Sequence, residues 1–268
     1  MDQLMANLQI RILERGYTRH TVEDSTWHDA MAHRDPFSRL YWFAAGRGRL
    51  LLEGRMQTLG PGPSYLFPAH VPIRHIPSPG LEQYWIHFTA ELPGGLSLFD
   101  VMEWQIEQKR TNRKQALQQM KTLVIASPTA RVALEQQATL RWILTGFLGS
   151  PRLGWEERIQ NLHRFEAVLR HVQEHLAEKI PLETLARLVS LHPNYFSNLF
   201  AERFGMSPRA YILQKRIEKA QTLLWFSRAP IKEIARQTGM EDVCYFCRMF
   251  RKHTGMTPTT YRKRRSYS

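Results

Sequence analysis

The chain has 268 residues, of which 43% are hydrophobic and 23% charged, values typical of a globular protein with room for two domains. Its apolar runs are too short for a membrane span, and charged residues such as Asp2 and Arg11 interrupt the segment where a signal peptide would be apolar. We therefore expect a cytoplasmic protein without membrane contact, and the net charge of +13 indicates a polyanionic partner.

The first half of the chain, from about Thr18 to Leu92, consists of short apolar runs separated by glycine and proline, which is typical of β-strands. Strands are predicted on either side of the Gly46-Arg47-Gly48 turn. Three further strands are predicted at Arg55 to Leu59, Tyr65 to Phe67 and Gln83 to Thr89. Short strands at regular spacing favour a small barrel or sandwich.

The strand around Trp85 alternates in polarity, as expected of a strand with one polar face. Gln83, Trp85 and His87 share that face. A cavity with aromatic walls and a few polar groups suits a small molecule. The candidate lining residues of such a cavity are Arg39, Tyr41, His75, Gln83, Trp85 and His87. The alternative, that these side chains only pack the core, remains open.

The motifs of this chain do not indicate catalytic chemistry. His70, His75 and His87 are spaced 5 and 12 residues apart, without the His-x-His and following glutamate of metal-dependent barrel enzymes. The sequence also lacks a P-loop, a Gly-x-Gly-x-x-Gly motif and a nucleophile motif of Ser/His/Asp enzymes. We therefore expect no enzymatic activity, no catalytic residues, no metal site and no cofactor.

Residues 100–150 return to helical spacing. Leu117, Met120 and Val124 mark one short amphipathic helix. A second is marked by Val132, Leu140, Ile143, Leu144, Phe147 and Leu148. Pro151 and Gly154 then indicate a linker. The predicted organisation is a first domain at 1–150, a linker at 151–157 and a second domain at 158–268.

The second domain contains an internal repeat. The pattern Tyr195-Phe196-x3-Phe200-x4-Gly205-Met206-Ser207-Pro208-x2-Tyr211 returns fifty positions later as Tyr245-Phe246-x3-Phe250-x4-Gly255-Met256-Thr257-Pro258-x2-Tyr261. A shorter repeated segment precedes each copy: Ala186-x3-Ser190 before the first and Ala235-x3-Gly239 before the second. Each copy predicts a helix, a tight turn and a second helix.

The second helix of each copy is predicted to have a buried face and a free face. Phe196, Leu199 and Phe200 recur at i, i+3 and i+4, as do their counterparts in the other copy, so this stripe faces the core. The free faces supply the candidate DNA-binding residues: Asn194, Ser197, Asn198, Val243, Cys244, Cys247, Arg248, Arg251 and Lys252. Arg248 is predicted to contact guanine and Lys252 to contact phosphate.

A helix predicted from Pro208 to Phe226 separates the two copies. Its 19 residues span about 28 Å, close to the roughly 34 Å between successive major grooves on one face of DNA. Residues 158–268 contain 20 Lys/Arg and 9 Asp/Glu, or +11, whereas residues 1–157 contain 17 and 15, or +2. The expected partner is double-stranded DNA contacted in two successive major grooves. A helical bundle that binds protein is the alternative.

At these residues the sequence resembles the AraC/XylS family of bacterial transcription regulators. The resemblance covers about Arg158 to Arg265, and Ile231-Lys232-Glu233-Ile234-Ala235 carries it together with the two copies of the repeat. The chain departs from the family pattern at Ser190, where glycine is usual, and at Cys244 and Cys247, where small polar residues are usual. The resemblance implies an α+β fold: an N-terminal cupin-like β-barrel with flanking helices, then an all-α domain of two helix-turn-helix units joined by a long helix.

The resemblance also implies a role and partners. The order Gly-x-Gly, Pro-Gly, Leu-Phe-Pro and Trp85-Ile86-His87-Phe88 resembles the sensor domain that many of these regulators carry. The six candidate lining residues would then bind an effector, and the chain would be a transcription activator that responds to a small molecule such as a sugar and recruits RNA polymerase. The helices within residues 100–150 would support a homodimer.

Two alternatives to control by an effector remain open. The regulator could act without an effector and be controlled by its abundance. It could also be redox-responsive through Cys244 and Cys247, because the C-x-x-C spacing occurs in redox-active sites. A structural zinc site is not expected, since the sequence has no second cysteine pair.

Overall fold

A computed structural model describes residues 5–20, 32, 34–93, 95–109, 113–125 and 129–264. The chain forms two compact units. One consists mainly of Leu8–Glu91 and Ser97–Arg152 and carries the strands, and the other consists mainly of Leu153–Arg262 and is helical. The prediction of a strand-rich N-terminal part followed by a helical C-terminal part is confirmed.

The strand-rich unit contains, in chain order, β1 Gln9–Arg19, β2 Ser38–Ala45, β3 Gly48–Leu52, β4 Arg55–Leu59, β5 Ser64–Phe67, β6 Ile73–Ile76, β7 Glu82–Leu92, β8 Leu96–Ser97, β9 Met102–Trp104, β10 Glu107–Gln108 and β11 Leu148–Pro151. Within the described residues, the largest sheet has the order β1-β7-β2-β5-β10, with β8 also paired to β7. A second sheet has the order β4-β3-β6, and β9 pairs with β11.

The two larger sheets share one apolar core. Tyr41 and Phe67 from the first sheet pack in the same cluster as Leu50 and Ile73 from the second. The predicted strands flanking the Gly46-Arg47-Gly48 turn are present as β2 and β3, but each belongs to a different sheet. Gly46 turns the chain with φ 74°, and a Cβ there would lie 2.4 Å from the Gly80 carbonyl oxygen. The turn between the sheets therefore requires glycine.

Among the described residues, this unit has the helices α1 Leu98–Val101, α2 Arg113–Val124 and α3 Ala130–Thr145. Met120 and Leu140 are fully buried, as the helical spacing predicts. Helix α3 starts at the N-cap Thr129, whose hydroxyl accepts a hydrogen bond from the Val132 amide. It ends at Thr145, so the prediction that Phe147 and Leu148 belong to the helix is wrong: Phe147 follows the C-cap Gly146, and Leu148 opens β11.

The helical unit contains α4 Trp155–Glu174, α5 Leu182–Leu188, α6 Pro193–Phe204, α7 Pro208–Phe226, α8 Ile231–Gln237, α9 Val243–Thr254 and α10 Pro258–Lys263. The bounds of α7 are those predicted for the long helix. The Ser207 hydroxyl caps it by accepting from the Ala210 amide, and Pro208 occupies its first turn. Helix α4 already begins inside the predicted linker. Among the described helices, none combines membrane-spanning length with enough apolar character.

The tight turns of the two helix-turn-helix units have the same backbone form. Gly239 turns the second unit with φ 70°, and Ser190 occupies the matching position of the first with φ 55°. A side chain in this left-handed region is unfavourable, because its Cβ approaches the following carbonyl. The first unit therefore tolerates strain that the glycine of the second avoids.

Candidate nucleic-acid interface and effector site

Helices α6 and α9 have the same length and the same pattern of burial. Phe196 and Phe200 of α6 are buried, as are Phe246 and Phe250 at the matching positions of α9. In each helix these two phenylalanines contact each other, with ring centroids 5.7 Å apart in α6 and 5.8 Å apart in α9. The internal repeat is therefore a structural repeat with one side of each helix fixed in the core.

The opposite sides of α6 and α9 are open to solvent. In α6, Asn194 and Asn198 are exposed and Ser197 is half-buried. In α9, Cys244, Arg248, Arg251 and Lys252 are exposed, and Val243 and Cys247 are half-buried. All nine residues predicted to read DNA thus lie on accessible faces, although their individual roles stay a prediction.

Arg248 is oriented by an aromatic neighbour. Its guanidinium carbon lies 5.6 Å from the centroid of the Tyr245 ring, a cation–π distance. Sequence reasoning missed Tyr245 as a surface residue. The signal was available in the repeat, since Tyr195 and Tyr245 occupy the same position and are 56% and 39% exposed. The contact restricts the Arg248 side chain before any partner is bound.

The start of α9 is fixed by Asp242. One carboxylate oxygen accepts from the amides of Cys244 at 2.8 Å and Tyr245 at 3.1 Å. These two hydrogen bonds satisfy two amide groups that the first turn of a helix leaves without partners. The cap therefore sets the position at which the exposed face of α9 begins.

The two exposed faces differ in charge. Helix α9 presents Arg248, Arg251 and Lys252, whereas α6 presents neutral amides and a hydroxyl. Arg203, near the end of α6, is bound to Glu157 of α4 at 3.0 Å. The second unit is therefore the more strongly cationic of the two recognition surfaces.

Arg216 of α7 forms hydrogen bonds with the segment that follows α4. It donates to the carbonyl oxygens of Leu176 at 3.0 Å and Glu178 at 2.5 Å. The turn at Gly239 lies against the same place, because a Cβ on Gly239 would be 2.5 Å from the Leu176 carbonyl oxygen. Arg216 thus joins the chain after α4 to the turn of the second unit.

Cys244 and Cys247 are both free thiols. Partial burial, with a smaller contribution from Cys244, raises the pKa of Cys247 above its ordinary value. Since the thiolate is the species that reacts with oxidants, a raised pKa lowers reactivity at neutral pH. The raised pKa of Cys247 does not favour the redox-responsive alternative.

In the strand-rich unit, strand register brings the predicted effector residues together. Arg39 is paired with His87 and Tyr41 with Trp85 across β2 and β7, and these four side chains point to one face of the sheet. The rings of Trp85 and His87 are 4.9 Å apart. His75 comes from β6 of the other sheet, and its Nε2 lies 3.4 Å from the Tyr41 hydroxyl.

Gln83 lies further along the same face of β7. Its amide nitrogen lies 3.3 Å from Nε2 of His20, and the whole side chain is buried. The six predicted residues therefore share one interior region, with Gln83 at its edge. Whether this region binds an effector is a prediction.

Strand β1 adds residues that sequence reasoning missed. The Trp85 indole donates to the Thr18 hydroxyl at 2.8 Å. Its ring lies against Gly16, where a Cβ would be 2.5 Å from the indole. Glycine at this position of β1 therefore makes room for the Trp85 ring. An isolated glycine in a strand is the sequence signal for such a close approach.

The region also contains the buried carboxylate of Asp35, which has two arginine neighbours. The carboxylate of Asp35 is fully buried and forms an ion pair with Arg39. Arg264, which clusters with the same unit, lies 3.4 Å from Asp35. Burial, and then the nearby Arg39, hold the pKa of His87 well below its ordinary value. His87 is thus neutral at physiological pH, where it can donate one hydrogen bond and accept another.

Comparison with known proteins gives two family matches. Residues 7–144 match the family described as the AraC-like ligand binding domain. Residues 185–264 match the family described as the helix-turn-helix domain.

Curated relatives match over part of the chain. The uncharacterized HTH-type transcriptional regulator YijO of Escherichia coli (strain K12) is 34% identical over 133 residues, which cover 48% of this chain and 47% of the relative. The arabinose operon regulatory protein of the same strain is 33% identical over 101 residues, or 37% of this chain and 35% of the relative. The chain thus spans about half or less of the length of these relatives.

A solved structure matches over nearly the whole chain. The crystal structure of wild-type ToxT from Vibrio cholerae, with an unsaturated fatty acid bound, has a TM-score of 0.52. It covers 95% of this chain and 94% of that chain at 12% identity. The match at this identity concerns the fold alone.

Proposed function

Since the chain belongs to the AraC family of transcription regulators, we propose that it binds DNA through α6 and α9 and responds to a small molecule held by its strand-rich unit. The observation that carries the proposal is the shared geometry of α6 and α9. Each helix has one side fixed in the core and the other exposed. The two are joined by the 19-residue helix α7, whose length of about 28 Å is close to the spacing of successive major grooves.

Arg248 is the proposed base-reading residue of the second unit. It is exposed in the middle of α9, and its contact with Tyr245 restricts its orientation. An arginine so placed can donate two hydrogen bonds to the O6 and N7 atoms of guanine. Arg251 and Lys252, one turn further on, would neutralise phosphates. The amides of the first unit suit adenine or water-mediated contacts.

Two variants separate these roles. Arg248→Ala is expected to relax base preference at one position of the site, at a cost of about 1–3 kcal/mol in discrimination. Lys252→Ala should weaken binding to all sequences alike and reduce the salt slope by about one unit. Binding of each variant to a randomised duplex library at several salt concentrations measures both effects. A uniform loss for Arg248→Ala with unchanged base preference would contradict its base-reading role.

The proposed effector is a small polar molecule such as a sugar. The interior region offers the Trp85 ring beside hydrogen-bonding groups of His87, His75 and Tyr41, a combination that suits a sugar ring. Arg39 already forms an ion pair with the buried Asp35, so we assign the ligand contacts to the uncharged groups of the region.

Calorimetry of the full chain with a panel of monosaccharides tests the effector proposal. The panel should include an unsaturated fatty acid, because the ToxT structure of similar fold holds one. Trp85→Ala is expected to abolish binding of the active compound, whereas Tyr84→Phe, on the opposite face of β7, should preserve it. A Trp85→Ala chain that binds normally would contradict the assigned site. If no compound binds, the effector-independent alternative is favoured.

We propose that the chain forms a homodimer through the exposed side of α3. Leu134 is 73% exposed and Trp142 is 52% exposed on that helix, with the small Ala138 midway between them. If two copies pack antiparallel about Ala138, Leu134 faces the partner's Trp142. The same pairing sets Glu135, which also pairs with Arg131 in its own chain, opposite the partner's Arg141, so the charges are self-complementary.

Sedimentation equilibrium tests the dimer. Leu134→Glu is expected to shift the chain to monomer, because it sets a charge against an apolar partner in each half of the interface. Ile125→Glu is the matched control, since Ile125 is 59% exposed but lies outside α3. Equal masses for the two variants and the unchanged chain would contradict this interface.

Activation would follow from a shift in population. An effector that binds one arrangement of the sensor more tightly increases the fraction of chains that bind DNA productively and recruit RNA polymerase. The proposed site of action is therefore promoter DNA in the cytoplasm. Transcription measured in vitro with purified polymerase, with and without the active compound, tests this step. Equal transcript levels in the two reactions would contradict it.

A further inference from the structure

The end of α4 carries two histidines on one side of the helix. His171 and His175 are four residues apart, so they lie on the same face, and their rings stack with centroids 4.1 Å apart and an interplanar angle of 21°. Both side chains are half-buried, and Val172 between them is anchored in the core. The pair is thus held in place by the packing of the helix while remaining reachable from solvent.

The hydrogen bonding of His175 determines which of its nitrogens is available. Nδ1 of His175 lies 2.9 Å from the carbonyl oxygen of His171. A carbonyl oxygen only accepts, so Nδ1 carries the proton, and in the neutral ring Nε2 holds the free lone pair. A histidine that binds metal usually donates its second ring N–H to such a group. His175 is therefore already in the tautomer of a metal ligand.

The surroundings of the pair favour a cation. It sits at the C-terminal end of a 20-residue helix, where the backbone dipole carries partial negative charge. Glu174, between the two histidines in sequence, is exposed and adds a carboxylate. The positive charge of the neighbouring Arg170 is paired with Glu166, which lies 3.9 Å away and one turn toward the start of the helix.

The sequence His171-Val172-Gln173-Glu174-His175 also has the His-x-x-Glu-His spacing of one class of zinc hydrolase. A catalytic zinc requires three protein ligands and an open position. Across the described parts of the chain, no group of three or more His, Cys, Asp or Glu residues could hold a metal. The arrangement therefore supports binding through two imidazoles, with water in the remaining positions, and does not support hydrolysis.

We propose that His171 and His175 form a two-histidine site for a divalent transition-metal ion. Imidazole ligands suit Zn²⁺, Ni²⁺ and Cu²⁺, and affinity for a given nitrogen site rises from Ni²⁺ to Cu²⁺. The lone pair of each Nε2 lies in its ring plane, so the stacked rings must rotate about their side-chain bonds before both nitrogens reach one ion. Because the two rings come from one helix, binding requires no rearrangement of the fold.

The site lies next to the contact between the end of α4, helix α7 and the second helix-turn-helix unit. Leu176 directly follows His175, and its carbonyl oxygen accepts from Arg216 of α7. The turn at Gly239 of the second helix-turn-helix unit lies against the same carbonyl. An ion bound to the two histidines therefore stabilises the end of α4. Through Leu176 it also stabilises the contact of α4 with α7 and with the second unit.

Calorimetric titration of the untagged full chain with Ni²⁺ tests the site, since Ni²⁺ does not oxidise the two cysteines. The expected result is one ion per chain. His171→Ala and His175→Ala are each expected to weaken binding at least tenfold. His163→Ala is the matched control, because His163 is exposed on the same helix but is eight residues before His171. It should bind as the unchanged chain does.

The titration is repeated with Cys244→Ser and Cys247→Ser combined, so that thiols cannot account for the signal. Retention of the one-ion stoichiometry in this variant supports the histidine site, and its loss overturns it. Equal affinity of the His171→Ala, His175→Ala and His163→Ala chains also overturns it. Far-UV circular dichroism checks the fold of each variant, and His175→Gln replaces any alanine variant that unfolds. No DNA is present, so this result and the proposed DNA binding can fail independently.

Discussion

Gly239 and Gly205 allow the cost of a steric clash to be separated from the cost of backbone strain. Both glycines have φ 70°. A Cβ at Gly205 would meet nothing within 4 Å, whereas at Gly239 it would lie 2.5 Å from the Leu176 carbonyl oxygen and 2.7 Å from the Arg216 guanidinium. Replacement by alanine therefore imposes the same strain at both positions and a clash at only one.

The two substitutions should differ by the cost of that clash. Alanine in the left-handed region costs about 1–2 kcal/mol, which is the expected effect of Gly205→Ala. Forcing the Leu176 backbone and Arg216 apart adds about 1–3 kcal/mol, so Gly239→Ala should destabilise the helical unit by about 2–5 kcal/mol in total. Because the clash also disturbs the second unit, Gly239→Ala should weaken DNA binding more than Gly205→Ala does.

Urea unfolding followed by far-UV circular dichroism measures the difference, because most of the helix belongs to the unit that contains both glycines. Ser190→Gly serves as a third variant, and it should stabilise the chain or leave it unchanged, because it relieves a positive φ of 55°. Equal destabilisation by the two alanine variants would refute the argument that Leu176, Arg216 and the second turn are in close contact.

Three further predictions concern the sensor and the cysteines. The free energy of unfolding should fall by about 1.4 kcal/mol per pH unit below pH 6.5, because His87 takes up a proton there in the unfolded chain but, with its lowered pKa, not in the folded chain. Thermal unfolding at several pH values measures this slope. The His87→Gln chain should lose the slope, and the His163→Gln chain should keep it. Gly16→Ala should displace the Trp85 ring and destabilise the sensor by about 1–3 kcal/mol, a loss that calorimetric unfolding measures. An unchanged melting temperature would show that the ring is not confined by Gly16. In a Cys244→Ser chain, hydrogen peroxide at neutral pH should leave DNA affinity unchanged, because the raised pKa of Cys247 lowers the reactivity of its thiol. A loss of affinity that a further Cys247→Ser change prevents would instead support redox control.

The helical unit could be predicted closely because its elements are determined locally. Pro208 after a capping serine starts α7, and glycines with positive φ end α6 and α9. The repeat adds a second copy of each signal, so errors in one copy are corrected by the other. The bonds of Arg216 to Leu176 and Glu178 could not be foreseen, because they join residues about 40 positions apart whose proximity depends on packing.

The strand-rich unit was harder to predict because its contacts are between distant segments. Alternation in β7 identified the face that holds Trp85 and His87, and the register of β2 shows that Arg39 and Tyr41, also named from the sequence, lie opposite them. The pairing of β1 with β7 left no local signal apart from Gly16, since its partners are some 70 positions away. The role of Asp35 was also missed, because a buried carboxylate is recognised only from the arginine beside it.

Selection of binding sites from a random duplex library by the full chain, followed by hydroxyl-radical footprinting, tests the central claim most directly. If α6 and α9 both read DNA across the span of α7, the selected sequences will contain two preferred blocks whose centres are about one helical turn, or 10–10.5 base pairs, apart on one face of the duplex. A single preferred block, or no enrichment over the starting library, would contradict the account.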